Sequence, residues 1–143
     1  AETGHLVFAT LHTNSAAATI DRFVNAFSAD QQPPIRGLLA DSLAGVVAQQ
    51  LLRRADGSGR VAAHEILVGN LALASLIREG KTNQIGSFIQ SGISEGMQGM
   101  DNTLAKLVAA GEVSAADALD KALEKDQFAK LPAVAAALDV AVE

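Results

Sequence analysis

Cysteine, tryptophan and tyrosine are absent from this 143-residue chain, and its 3% aromatic content is five phenylalanines. Without cysteine there is no disulfide staple and no thiolate metal site, which fits a reducing compartment. Positive charge is scarce too: 11 Lys and Arg stand against 16 Asp and Glu, for a net charge of -5, and no stretch concentrates the basic residues. Gripping a phosphate backbone takes several Lys or Arg on one face, so the balance argues against nucleic acid as a partner. No apolar stretch reaches the roughly 18 residues needed to span a bilayer. The N-terminus also lacks the basic, apolar, small-residue order of a signal peptide. A soluble chain without direct membrane insertion is expected.

What the chain does have is apolar mass. With 49% hydrophobic residues and the length of one domain it can bury a real core, but not build a second complete domain. It starts at Ala1-Glu2-Thr3 without an initiator methionine, shortly before an apolar run, and reads as a piece of a longer polypeptide.

That run, Gly4-His5-Leu6-Val7-Phe8-Ala9-Thr10-Leu11-His12-Thr13, is the most informative stretch. Apolar character ending in Thr10, His12 and Thr13 predicts a buried strand of a parallel sheet, delivering polar groups to the carboxyl edge where such sheets bind ligands. His5 and His12 would then lie roughly 23 Å apart, at about 3.3 Å per residue, and on opposite faces, so one metal ion cannot hold both. No H-E-x-x-H pair replaces them, and no metal ligand is assigned. His12, at the favoured edge, is the candidate contact, and His5 is not. A ring N–H there can donate to a terminal phosphate, a charge-assisted bond worth roughly 1.5 to 3 kcal/mol. The plainer alternative is that both histidines are satisfied polar groups at strand ends.

Asn14 or Ser15 can cap a following helix with the stripe Ile20, Phe23, Val24 and Phe27. Pro33-Pro34 can open a second helix. Its stripe of Ile35, Leu38, Leu39, Leu43, Val46 and Val47 predicts about four turns packed on the sheet. Asp56-Gly57-Ser58-Gly59 marks a turn between Leu51-Leu52-Arg53-Arg54 and the run from Arg60 to Val68, hence a hairpin. Beyond Asn70, stripes at Leu73, Leu76 and Ile77, at Ile85, Phe88 and Ile89, and at Leu104, Leu107 and Val108 predict a small helical bundle. Ser114 offers an N-cap for residues 115–124. The Ala-rich end from Pro132 is either a further helix or a frayed tail.

Gly80-Lys81-Thr82 mimics the end of a phosphate loop, G-x-x-x-x-G-K-[ST], but Ser75 stands where the first glycine belongs and a helical stripe precedes it. Gly80 is therefore read as a helix terminator. His64 reads as a structural member of the hairpin. Asp21, Asp41, Glu65 and Glu79 each have a helix-surface or ion-pair explanation. Arg53, Arg54, Arg60 and Arg78 are candidates to reach a phosphate from a neighbouring element, against the commoner role of arginine on a solvated face.

Read together, the histidine box within Ala1 to Thr13, Thr19-Ile20-Asp21-Arg22, Arg60-Val61-Ala62-Ala63-His64-Glu65-Ile66 and Gly96-Met97-Gln98 resemble the C-terminal part of the type IV pilus retraction (twitching motility) ATPases, within the secretion ATPase superfamily. The similarity runs from Ala1 to about Ala118. Residues 72–79 resemble the retraction signature A-I-R-N-L-I-R-E and depart from it at Leu73, Ala74 and Ser75. The resemblance implies an α/β fold: residues 1–69 as part of a RecA-like P-loop NTPase core, 70–126 as a helical C-terminal subdomain, and 127–143 as a helical or disordered tail. It also implies a hexameric, magnesium-dependent ATP hydrolase, cytoplasmic and peripheral to the inner membrane, that works with a pilus inner-membrane platform protein. By the same resemblance His12 would sense the terminal phosphate as the catalytic residue, Thr10 and Thr13 would support it at the nucleotide, and Arg78 and Glu79 would belong to the retraction signature. The phosphate loop, the acidic strand and most contacts to ATP and Mg2+ would lie upstream, leaving this piece inactive alone. A type II secretion or pilus assembly ATPase sharing the histidine box, and a non-catalytic interaction module, are the competing readings.

Overall fold

The computed structural model describes residues 1–140 and has α/β character, with helices before and after one two-stranded sheet. Helices α1 (Ala16–Asn25) and α2 (Gln32–Ser42) come first. Strands β1 (Gly45–Arg53) and β2 (Arg60–Val68) form a hairpin. There follow α3 (Leu71–Arg78), α4 (Ile85–Ser91), α5 (Met100–Ala109), α6 (Ala115–Lys121), α7 (Lys125–Phe128) and α8 (Pro132–Val140). The chain divides into two compact units, one of residues 1–48 and 65–98, the other of residues 49–64 and those from 99 onward. The expected boundary at 69 falls between β2 and α3, and the one at 126 falls inside α7.

The hairpin is set by its turn. Asp56 Oδ1 accepts both the Ser58 amide (2.8 Å) and the Ser58 hydroxyl (2.6 Å), while Gly57 and Gly59 take φ of 72° and 140°. Only glycine adopts such angles without strain. At one end Arg54 N–H donates to the Gly59 carbonyl (3.0 Å), and at the other Gly69 N–H donates to Ala44 (2.8 Å). The strands are equally long, so the register runs without a bulge and sets Gln49 opposite His64 and Arg53 opposite Arg60. Inward positions alternate as Ala48, Gln50 and Leu52 on β1 and Ala63, Glu65 and Leu67 on β2.

In the first unit Ser15 caps α1, its hydroxyl accepting the Ala18 amide (3.2 Å), and Asn70 caps α3 through the Leu73 amide (3.0 Å). Each occupies one orphan donor of a helix start. Ile20, Leu67, Leu73, Ile77, Ile85, Ile89 and Met97 fill the core. Burying a side chain of that size contributes roughly 1.5 to 3 kcal/mol. In the second unit Leu52, Ala63, Met100, Leu104, Val108, Phe128 and Val134 form the core. Gln50, buried among them, donates from Nε2 to the Lys121 carbonyl (3.0 Å).

Three expectations need correction. The run from Gly4 to Thr13 is not a buried strand: residues 5–13 have no regular structure, and Leu6, Val7 and Phe8 are 81%, 60% and 89% exposed. A strand exists only in a ladder, and among the described residues nothing pairs with this one. The second helix is also shorter than its apolar stripe. It ends at Ser42, and Leu43 is already extended (ψ 110°), so Val46 and Val47 belong to β1. Gly45 is a poor helix residue and the two β-branched valines favour a strand, which outweighs a helical period. Ser114 does cap α6 through the Asp117 amide (3.1 Å), but that helix stops at Lys121 rather than 124. Of the two alternatives for the chain end, residues 132–140 are helical, and 141–143 lie outside the described residues.

Candidate functional site

The polar end of the first run leads directly into α1. His12 is the one non-glycine among the described residues with positive φ (54°), a conformation that histidine tolerates better than most side chains but that needs bracing. Its ring is exposed, and its backbone carbonyl accepts from Arg22 Nη1 at 3.4 Å. Behind it, the Thr13 and Thr19 hydroxyls meet at 2.5 Å, and the Thr19 hydroxyl donates to the Ser15 carbonyl at 2.8 Å. Thr19 has one hydroxyl proton, so Thr13 is the donor in the first contact and its own proton is engaged. Thr13 thus braces the backbone beside His12, and Thr10 is exposed. His5 lies apart, its Nδ1 paired with the Thr3 hydroxyl at 3.0 Å.

Glu65 fixes this corner from the hairpin. It is 5% exposed, and its Oε1 accepts the Ala16 backbone amide at 2.7 Å, one of the donors that the first turn of α1 leaves without an intrahelical partner. A carboxylate there also complements the positive end of the helix dipole. The next residue of β2, Ile66, forms an antiparallel bridge with Gln98, donating at 2.8 Å and accepting at 2.9 Å. Glu65 and Ile66, the last two residues of the Arg60-to-Ile66 run, thus hold the start of α1 and Gln98 within the first unit. Beside the helix-surface or ion-pair explanation expected for it, Glu65 makes this backbone contact. The signal was available, because Glu65 sits on the inward phase of an otherwise apolar strand, where an acid needs N–H partners.

The remaining candidates have local roles. Gly80 ends α3 with φ of 67°, Lys81 pairs with Glu79 (2.6 Å), and Thr82 opens a short 3-10 turn, so no phosphate loop forms there. Arg78 forms an ion pair with Asp41 of α2. His64 Nε2 and Gln49 Oε1 lie 2.9 Å apart across the hairpin. Among the described residues no three His, Cys, Asp or Glu side chains gather in one place. No helix among them is long and apolar enough to cross a membrane.

Residues 1–135 match the family described as Type II/IV secretion system protein. The chain is 52% identical over 114 residues to a twitching motility protein of Neisseria gonorrhoeae, covering 80% of this chain and 30% of that one. It is 51% identical over 128 residues to the type IV pilus retraction ATPase PilT of Pseudomonas aeruginosa, covering 90% of this chain and 37% of that one. A crystal structure of the pilus retraction motor PilT with bound ADP superposes with a TM-score of 0.80 at 41% identity, covering 91% of this chain and 36% of the other. The chain thus spans about a third of the length of the curated relatives it matches.

Proposed function

Since the chain belongs to the Type II/IV secretion system protein family, we propose that it is the C-terminal part of a hexameric ATPase motor that powers type IV pilus retraction. Residues 1–69 then complete a RecA-like core, 70–126 form its helical subdomain, and 127–143 are a tail. ATP is the substrate. The phosphate loop, the acidic strand and the magnesium ligands belong to a preceding part of the polypeptide, so this piece alone does not turn over. The machine is cytoplasmic, lies against the inner membrane and engages a platform protein there.

The observation that carries this reading is the exposed His12 ring on a left-handed, externally braced backbone. Arg22, Thr13 and Ser15 hold the backbone on either side, leaving the ring free to donate to the outermost phosphoryl group of ATP. Thr10, exposed beside it, supplies a second hydroxyl. Glu65 ties the first turn of α1, which follows His12, to β2. In the longer polypeptide, His12→Ala should lower ATP turnover by about 10- to 100-fold, the equivalent of one charge-assisted hydrogen bond. Unchanged turnover and nucleotide affinity would remove the assignment. A pulling measurement on pili of a deletion strain separates retraction from the type II secretion or assembly alternative.

A further inference from the structure

Like charges are unfavourable directly across a strand pair, yet the hairpin register sets Arg53 opposite Arg60. The backbone bonds at Arg54 and Gly69 make this a non-hydrogen-bonded pair, the kind whose side chains stand closest. The equivalent pair Gln49 and His64 brings side-chain atoms to 2.9 Å. Among the described residues no acid forms an ion pair with either arginine. Glu112 is engaged by Arg54 at 3.1 Å, and the Asp56 Oδ1 is taken by Ser58. Arg53 and Arg60 have no hydrogen-bond or ion-pair partner among the described residues.

Beside them lies an open depression of about 550 Å³ lined by Arg53, Arg54, Gly57, Gly59 and Arg60. The glycines keep side chains out of it, and its lining holds no acid, although the whole chain carries a net charge of -5. The turn from Asp56 to Gly59 returns Arg60 to Arg53. Guanidinium groups are planar forks that match phosphoryl oxygens two at a time, and a phosphoryl group has enough oxygens to serve two forks. An anion between the arginines also converts their repulsion into attraction. We propose that the turn end of the hairpin is a binding site for a phosphoryl group, held by Arg53 and Arg60. Its lining does not include His12, and the proposal does not depend on the motor reading.

Pyrophosphate titrated into the 143-residue chain at constant ionic strength, with chloride as the balancing anion, tests this by amide and arginine Nε–H NMR shifts. Sedimentation with phosphatidylglycerol vesicles, against phosphatidylcholine vesicles, forms the second arm. The expected result is saturable shifts at Gly57, Gly59, Arg53 and Arg60, or sedimentation with the anionic vesicles alone. Either should weaken tenfold or more in Arg53→Gln/Arg60→Gln, and measurably in Arg53→Lys/Arg60→Lys, which keeps the charge and loses the fork. Lys130→Gln should bind as the parent does. Saturation by pyrophosphate identifies a soluble phosphate compound as the ligand source, and sedimentation without it identifies a lipid headgroup. Absence of binding in both arms, shifts that chloride reproduces, or full binding by both double variants overturns the proposal. Should the Gln variant lose its hairpin amide dispersion, the Lys variant decides.

Discussion

Glu65 Oε1 accepts the Ala16 amide at 2.7 Å across a sequence separation of 49 residues, joining β2 to the first turn of α1. Ala16 is fully buried, so water cannot replace the carboxylate. Glu65→Ala leaves a buried N–H unsatisfied and should cost about 1 to 3 kcal/mol. Glu65→Gln keeps an acceptor and should cost less. Urea unfolding gives the totals, and hydrogen exchange at Ala16 should accelerate far more in the Ala variant than in the Gln variant. Equal exchange in both would mean that Glu65 does not hold α1.

Gly69 is a place where no side chain fits. A Cβ there would meet the Leu43 and Ala44 carbonyl oxygens, which are backbone and cannot swing aside. Gly69→Ala should therefore destabilise the chain by about 1 to 3 kcal/mol, as overpacking does. It should also disturb the Gly69-to-Ala44 bond that closes the open end of the hairpin. Gly86→Ala, at a site with nothing nearby, serves as the control and should be tolerated. Equal urea midpoints for the two variants would contradict the packing.

Asp101 holds the break between α6 and α7. Its Oδ1 accepts the Leu123 amide at 2.8 Å and its Oδ2 the Glu124 amide at 3.0 Å. In Asp101→Ala both amides should exchange faster with solvent, while the exposed surroundings limit the global loss to about 1 kcal/mol. Asp101→Asn should retain one of the two contacts. Unchanged exchange at both positions would count against this role.

The turn of the hairpin carries a pH dependence. The hydroxyl of Ser58, and then its amide, hold the Asp56 carboxyl below its ordinary value of 3.8. A depressed carboxylate stabilises the fold above its unfolded value, and that contribution is lost as pH falls through the lower folded value. The Ser58 amide resonance should therefore titrate with a midpoint below 3.8. In Asp56→Asn the transition should vanish. A midpoint at or above 3.8 would show that the turn does not bind the charged form.

Residue patterns with partners a few positions away were legible in the sequence. Ser15, Asn70 and Ser114 cap helices in the structure, and of these Ser15 and Ser114 were readable as caps; Asp56 to Gly59 turn the hairpin, and Gly80 stops α3. His12, Thr10 and Thr13 could be singled out as a polar end to an apolar run, and the family resemblance came from the same residues. The length of α2 misled because Val46 and Val47 fit a helical period and a strand equally well, and only the hairpin partner chooses between them.

The sequence by itself determined the local elements, since capping, turn chemistry and glycine conformations act within a few bonds of the residue concerned. The tertiary structure alone decided that Glu65 reaches Ala16, that Ile66 bridges Gln98, and that Gly4 to Thr10 lie exposed. Each of these depends on a group far along the chain, or on the lack of a pairing strand among the described residues. The free energy of such contacts is set by what the fold brings alongside, which periodicity and spacing do not encode.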